Sequence, residues 1–133
     1  MKAEDKQLLL EDLSSRLPYG VKISVDDKVE IVQGIDFLDE VVNYDSFLSS
    51  DIEEVKPYLF PMSSMTEDQY WEMERIASDD YMENIQFAKE LNEKVDFIRH
   101  LPLYCPNVII WFNKNHFDYR GLIGKGLAID ATG

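Results

Sequence analysis

Within five residues, His116, Asp118, Tyr119 and Arg120 place an imidazole, a carboxylate, a phenol and a guanidinium side by side. This is the densest polar cluster in an otherwise apolar stretch, and Trp111 lies a few residues before it. Arg, Tyr and Trp are the side chains most enriched in interface hot spots, so these five residues are the candidate binding site. An enzyme made from this chain would have to be built on the same cluster, yet the pattern assigns no catalytic residue. The plainer role, and the favoured one, is structural: Arg120 paired with one of the many carboxylates, holding the tail to the body.

Other chemistry has less to stand on. Metal binding needs several ligands at set spacings. The chain offers His100, His116 and the single Cys105, with no HExxH, no CxxC and no pair of histidines at helical spacing. No metal site is expected. Ser63 and Ser64 lack the GxSxG setting of an activated serine and read as turn or capping residues. Cys105 beside Pro106 reads as a small buried hydrophobe. The run Gly121, Gly124, Lys125, Gly126 lacks the gap and ending of a phosphate-binding loop, and its glycines read as tight backbone paths. The acidic pairs Asp26/Asp27, Asp39/Glu40, Glu53/Glu54 and Asp79/Asp80 are too many to mark a site. They read as turns, helix starts and solvated faces. No cofactor is expected.

Net charge is −13, and it is uneven: residues 101–133 hold three basic and two acidic groups, so the excess sits upstream. Such a field disfavours direct contact with nucleic acid or an anionic membrane and suits a basic protein partner; the plainer reading is a solvated surface. One cysteine allows no internal disulfide. The acidic N-terminal run lacks the apolar core of a signal peptide, and no stretch approaches the ~20 apolar residues of a membrane span. A soluble cytoplasmic protein is expected.

The elements that would position the cluster follow from periodicity. Leu9, Leu10, Leu13 and Leu17 form one stripe of a helix over 4–17, stopped by Pro18 and Gly20. Val21, Ile23 and Val25 alternate as a strand, and Asp26-Asp27 is a tight turn. Val29, Ile31, Gln33 and Ile35 continue on one face with Glu30 outward, and a third strand falls at 40–44. Residues 45–50 read as a loop anchored by Phe47 and Leu48, followed by a single helical turn capped by Ser50. Pro57 and Pro61 block regular structure over 56–68, which is too apolar for a free linker. Thr66 and Gln69 form a capping box that opens a helix. Residues 81–98 carry the strongest helical period, with Glu90 and Lys94 as an i,i+4 pair, and 108–112 is apolar nearly all round. The expected fold is α+β: an N-terminal helix, a small three-stranded antiparallel sheet, open or curled into a small barrel, and a helical C-terminal half. At this length it is read as one domain, with 1–55 as helix plus sheet, 56–68 as a packed hinge and 69–133 as the helical part.

Three blocks carry a resemblance: LLLEDLSSRLPYGVK at 8–22, IEEVKPYLFPMSSMTED at 52–68 and NKNHFDYRGLIGKGLAID at 113–130. Their order and spacing are similar to those of a family of small proteins found in gut Bacteroidota and in their phages and prophages. The chain departs from that pattern at Phe60, Asn115 and Gly124, where the family more often has Arg, His and Glu. The resemblance brings no activity and no catalytic residue. It implies a mobile-element origin and a cytoplasmic setting.

Three functions remain in view. The leading one is a non-enzymatic accessory or adaptor protein that binds another protein, with a homodimer through 108–112 also open. The second is an acidic decoy whose carboxylates imitate a phosphate backbone. The third is an enzyme using residues 116–120.

Overall fold

Helix α1 (Ala3–Arg16) opens the chain, and its leucine stripe decides its packing. Leu9, Leu10 and Leu13 are fully buried, each contributing about 1.5–3 kcal/mol of burial. Glu4 and Asp5 occupy the first turn and Arg16 the last, matching the helix dipole. A 3-10 turn (Leu17–Tyr19) follows and ends at Gly20, whose φ of 68° is left-handed and cheap only for glycine. The computed structural model describes residues 1–45, 48–77 and 106–133.

These residues divide into two compact units: Met1–Leu59 with Gly121–Ala131 and Gly133, and Phe60–Arg120 with Thr132. The first unit holds seven strands in two sheets. They are β1 (Lys22–Val25), β2 (Lys28–Ile31), β3 (Gly34–Asp36), β4 (Val41–Asp45), β5 (Leu48–Asp51), β6 (Lys56–Leu59) and β7 (Ile129–Asp130). One sheet has the order β2-β1-β6-β7 and the other β3-β4-β5. The three-stranded sheet is antiparallel throughout. The α+β expectation therefore stands, with more strands than expected and in two open sheets rather than one meander or a barrel.

The Asp26-Asp27 turn is present, with both residues at positive φ (50° and 61°), as a two-residue type I′ turn requires. It fixes the register. Lys28 pairs with Val25, Glu30 with Ile23 and Ile31 with Lys22. Directly opposed residues share a face, so Glu30 falls on the side of buried Ile23 and Val25. Val29 and Ile31 are turned to solvent, 58% and 50% exposed. The expected orientation, Val29 and Ile31 inward and Glu30 outward, is thus reversed, because a two-residue turn sets which face each residue takes. The expected second strand is also split. Val32 is buried, its N–H donates to the Val21 carbonyl at 3.0 Å, and Gly34 opens β3 in the other sheet.

Two further stretches differ from expectation. Leu48–Asp51 is a strand rather than a loop, and Leu48 is exposed. Ser50 does not cap the following 3-10 turn (Ile52–Glu54); its hydroxyl lies 3.1 Å from the Tyr44 hydroxyl. Lys56–Leu59 was expected to resist regular structure, yet β6 sits between β1 and β7. The Leu59 carbonyl accepts from the Ala131 N–H at 2.8 Å, on the β7 side. Pro57, two residues earlier, presents its missing N–H to that same side. There β7 has no partner for it, since its pairing stops at Tyr58. A proline is therefore tolerated inside this sheet.

The first unit's core gathers the α1 leucines, Val21, Ile23, Val25, Val42, Ile52, Val55 and Leu59, with Leu122 and Leu127 from the tail. The second unit contains a 3-10 turn (Met62–Ser64), helix α2 over 67–77 and helix α3 (Pro106–Lys114). The capping box forms as expected: Thr66 Oγ1 accepts from the Gln69 N–H at 3.1 Å, and Gln69 Oε1 from the Thr66 N–H at 2.9 Å. The periodic run 81–98, the Glu90–Lys94 pair, Asp79/Asp80, Phe47, His100 and Cys105 lie outside the described residues. Among the described residues, no helix is long and apolar enough to cross a membrane.

Candidate functional site

The five sequence candidates come together in the second unit, and the end of α3 explains how. Helix α3 ends in a Schellman motif. The Phe117 N–H donates to the Phe112 carbonyl at 3.0 Å, and the His116 N–H to the Asn113 carbonyl at 3.2 Å. His116 is the residue after the cap, at φ 59°, where glycine is usual. The apolar contact that accompanies such motifs is the Phe112–Phe117 pair, with ring centroids 6.5 Å apart.

From this cap the chain folds back on the helix. Trp111 and Phe117 stack at 5.5 Å, and Phe112 and Tyr119 at 5.5 Å. The Tyr119 hydroxyl donates to Asn113 Oδ1 at 2.9 Å, with both side chains buried. The Arg120 guanidinium lies 4.6 Å from the centre of the Tyr119 ring, within cation–π range. Phe60 clamps the turn through its backbone: its N–H donates to the His116 carbonyl at 2.9 Å, and its carbonyl accepts from the Asp118 N–H at 2.8 Å. Trp111, Asp118 and Tyr119 are buried, and His116 and Arg120 are half-buried. The buried indole N–H of Trp111 has no hydrogen-bond partner among the described residues. Its role there is ring packing. In the same unit Tyr70 is buried on α2, and burial first, then the nearby Glu74, raises its phenol above the usual tyrosine range.

This arrangement commits aromatic faces and several polar atoms to closing a helix end. Arg120 and His116 are the members that a partner can reach. Asn113 belongs to the constellation and the sequence reading passed over it. Its signal was its place in the helix's last turn, six residues before a tyrosine.

The first unit carries two features that the sequence reading did not single out. The first is the pair Asp12 and Arg16, each 0% exposed. Arg16 Nε donates to Asp12 Oδ2 at 2.9 Å and its Nη2 to Oδ1 at 3.1 Å, a bidentate pair one turn apart on α1. The second is the tip of the β3–β4 hairpin. Residues 37–40 connect Asp36 to Val41. The Asp36 carboxylate accepts from the Asp39 N–H at 3.0 Å, Glu40 takes φ 54°, and the Glu40 carbonyl accepts from the Ile52 N–H at 2.9 Å. Held at both ends, the turn presents Leu38 at 92% exposure and Phe37 at 50%. The carboxylates of Asp36, Asp39 and Glu40 flank them.

On the surface of α1, Lys6 Nζ meets Glu53 Oε1 at 3.0 Å. Hydrogen bonding and charge attraction between them hold Glu53 below the usual glutamate range and Lys6 above the usual lysine range. No protein-family model matches the chain, and neither a curated protein nor a solved structure matches it.

Proposed function

We propose that this protein is a non-enzymatic adaptor that binds another protein through the β3–β4 hairpin tip. Its partner offers an apolar groove rimmed by Lys and Arg. The observation that supports this reading is the tip itself: two large apolar side chains, one of them almost wholly in solvent, on a turn fixed by side-chain and backbone bonds. A preformed turn loses little entropy on docking. An aromatic and an aliphatic anchor within an acidic rim matches the apolar core and polar rim of an interface. The chain's net charge of −13 adds long-range attraction to a basic partner. The phage or prophage setting and the cytoplasmic location rest on the resemblance of the three sequence blocks.

The test is a tagged pull-down from host lysate, comparing the unaltered chain with Phe37→Asp/Leu38→Asp and with Arg120→Ala. A partner lost with the tip variant, retained with the Arg120 variant and held through a high-salt wash supports the reading. Capture that ignores the tip but disappears in salt overturns it in favour of the acidic decoy. Capture lost only with Arg120→Ala moves the interface to the α3 cap.

A further inference from the structure

The outward face of the four-stranded sheet reverses the chain's charge. Val29 and Ile31 of β2 lie beside Ser24 and Lys22 of β1, and Ser24 lies opposite Lys56 of β6. Tyr58, two residues along β6 and on the same side, pairs with Ile129 of β7. This face therefore shows Val29, Ile31, Tyr58 and Ile129 with two ammonium groups, all exposed or half-buried. None of these strand positions carries a carboxylate, although acidic residues outnumber basic ones 26 to 13. The strand carboxylates Glu30 and Asp130 pair with Ile23 and Leu59, which belong to the opposite, buried face. Among the described residues, Lys22 and Lys56 make no ion pair.

An apolar face set with cations selects an apolar element rimmed by anions. The chain carries one: Phe37 and Leu38 flanked by Asp36, Asp39 and Glu40. We propose that this sheet face docks a second copy of the chain, with the hairpin tip of one copy as the occupant. The proposal rests on the reading of the tip as a docking element and goes further by naming a receptor for it. A tip on a face is a heterologous contact, since two different patches meet. The like net charges of the copies oppose association, so the contact depends on its local complementarity and is weak, in the micromolar to millimolar range of roughly −8 to −4 kcal/mol.

Sedimentation velocity from low micromolar to about millimolar protein tests it. The unaltered chain should associate with rising concentration. Leu38→Asp, and separately Lys22→Glu/Lys56→Glu, should each weaken association by at least about tenfold, the first because it replaces the apolar anchor with a charge that docking must desolvate, the second because it places like charges in contact. An equimolar mixture of the two should associate again, since the first keeps its sheet face and the second its tip. Val29→Glu, at an exposed position, repeats the face test without altering a lysine, and circular dichroism confirms that each variant folds. An unaltered chain that stays monomeric throughout overturns the proposal; if a foreign partner still requires Leu38, the reading of the tip survives alone. Association that the variants leave unchanged, or a mixture that stays monomeric, also overturns it.

Discussion

Replacing Arg16 with Met should unfold the first unit more readily than any change at an exposed charge. Both members of the Asp12–Arg16 pair are 0% exposed and joined by two hydrogen bonds of 2.9 and 3.1 Å. Each also has a further interaction, so the pair belongs to a larger network. Met keeps much of the stem volume and removes the guanidinium. The Asp12 carboxylate then stays in the core without its cation, which costs about 3–5 kcal/mol. Replacing both residues, as Asp12→Leu/Arg16→Met, removes the stranded charge as well. That double variant should recover part of the loss, short of what the further partners of the two groups cost when left unpaired, giving a large coupling in a double-mutant cycle. Both tryptophans, Trp71 and Trp111, lie in the second unit, so a probe placed in the first unit follows the change directly. Amide hydrogen exchange in β1 and β6 is such a probe, and a thermal scan by circular dichroism also reads the change, where Arg16→Met should lower the first unit's midpoint by more than about 10 °C. A single variant costing under about 1 kcal/mol, or a double variant as costly as the single one, would refute the claim that this pair is buried and mutually dependent.

Three other perturbations probe separate levels of the structure. His116→Gly should stabilise the α3 cap by about 1 kcal/mol, less whatever the imidazole's own contact contributes, because glycine removes the left-handed strain; urea unfolding followed by tryptophan fluorescence measures it. Tyr119→Phe should cost about 1–3 kcal/mol by leaving buried Asn113 Oδ1 without its donor, read by the same assay. The third concerns pH. Glu53 is depressed by Lys6, so its pairing stabilises the fold above the ordinary glutamate range. That contribution is lost as pH falls through the lower folded value, and it is small because the pair lies at the surface, where solvent screens it. Carboxyl-carbon NMR should show Glu53 titrating below the usual range, and Lys6→Met should return it part of the way, because the Met1 ammonium stays 3.8 Å from the carboxylate.

What the sequence determined by itself is what lies within a few residues along the chain. The leucine stripe of α1, the Asp26-Asp27 turn and the Thr66–Gln69 box are local, because a period of 3.6, a two-residue turn and a three-residue capping distance are complete within one window. The five candidate residues, Trp111 and those at 116–120, also come together for a local reason: a helix that closes on itself folds its own tail back. Other features depended on partners far along the chain. Pro57 is acceptable in β6 only because β7, from residues 129–130, stops short of it. Val29 and Ile31 face outward because a hairpin register is set by pairing, whereas an apolar alternation states only that two faces differ. Asp12 and Arg16 have the spacing of an ordinary surface pair, and only burial separates a bidentate core pair from a solvated one. Phe37 and Leu38 look like any apolar pair in the chain. Their exposure was decided by the tertiary structure, because which side of a short hairpin is covered depends on what else packs against it.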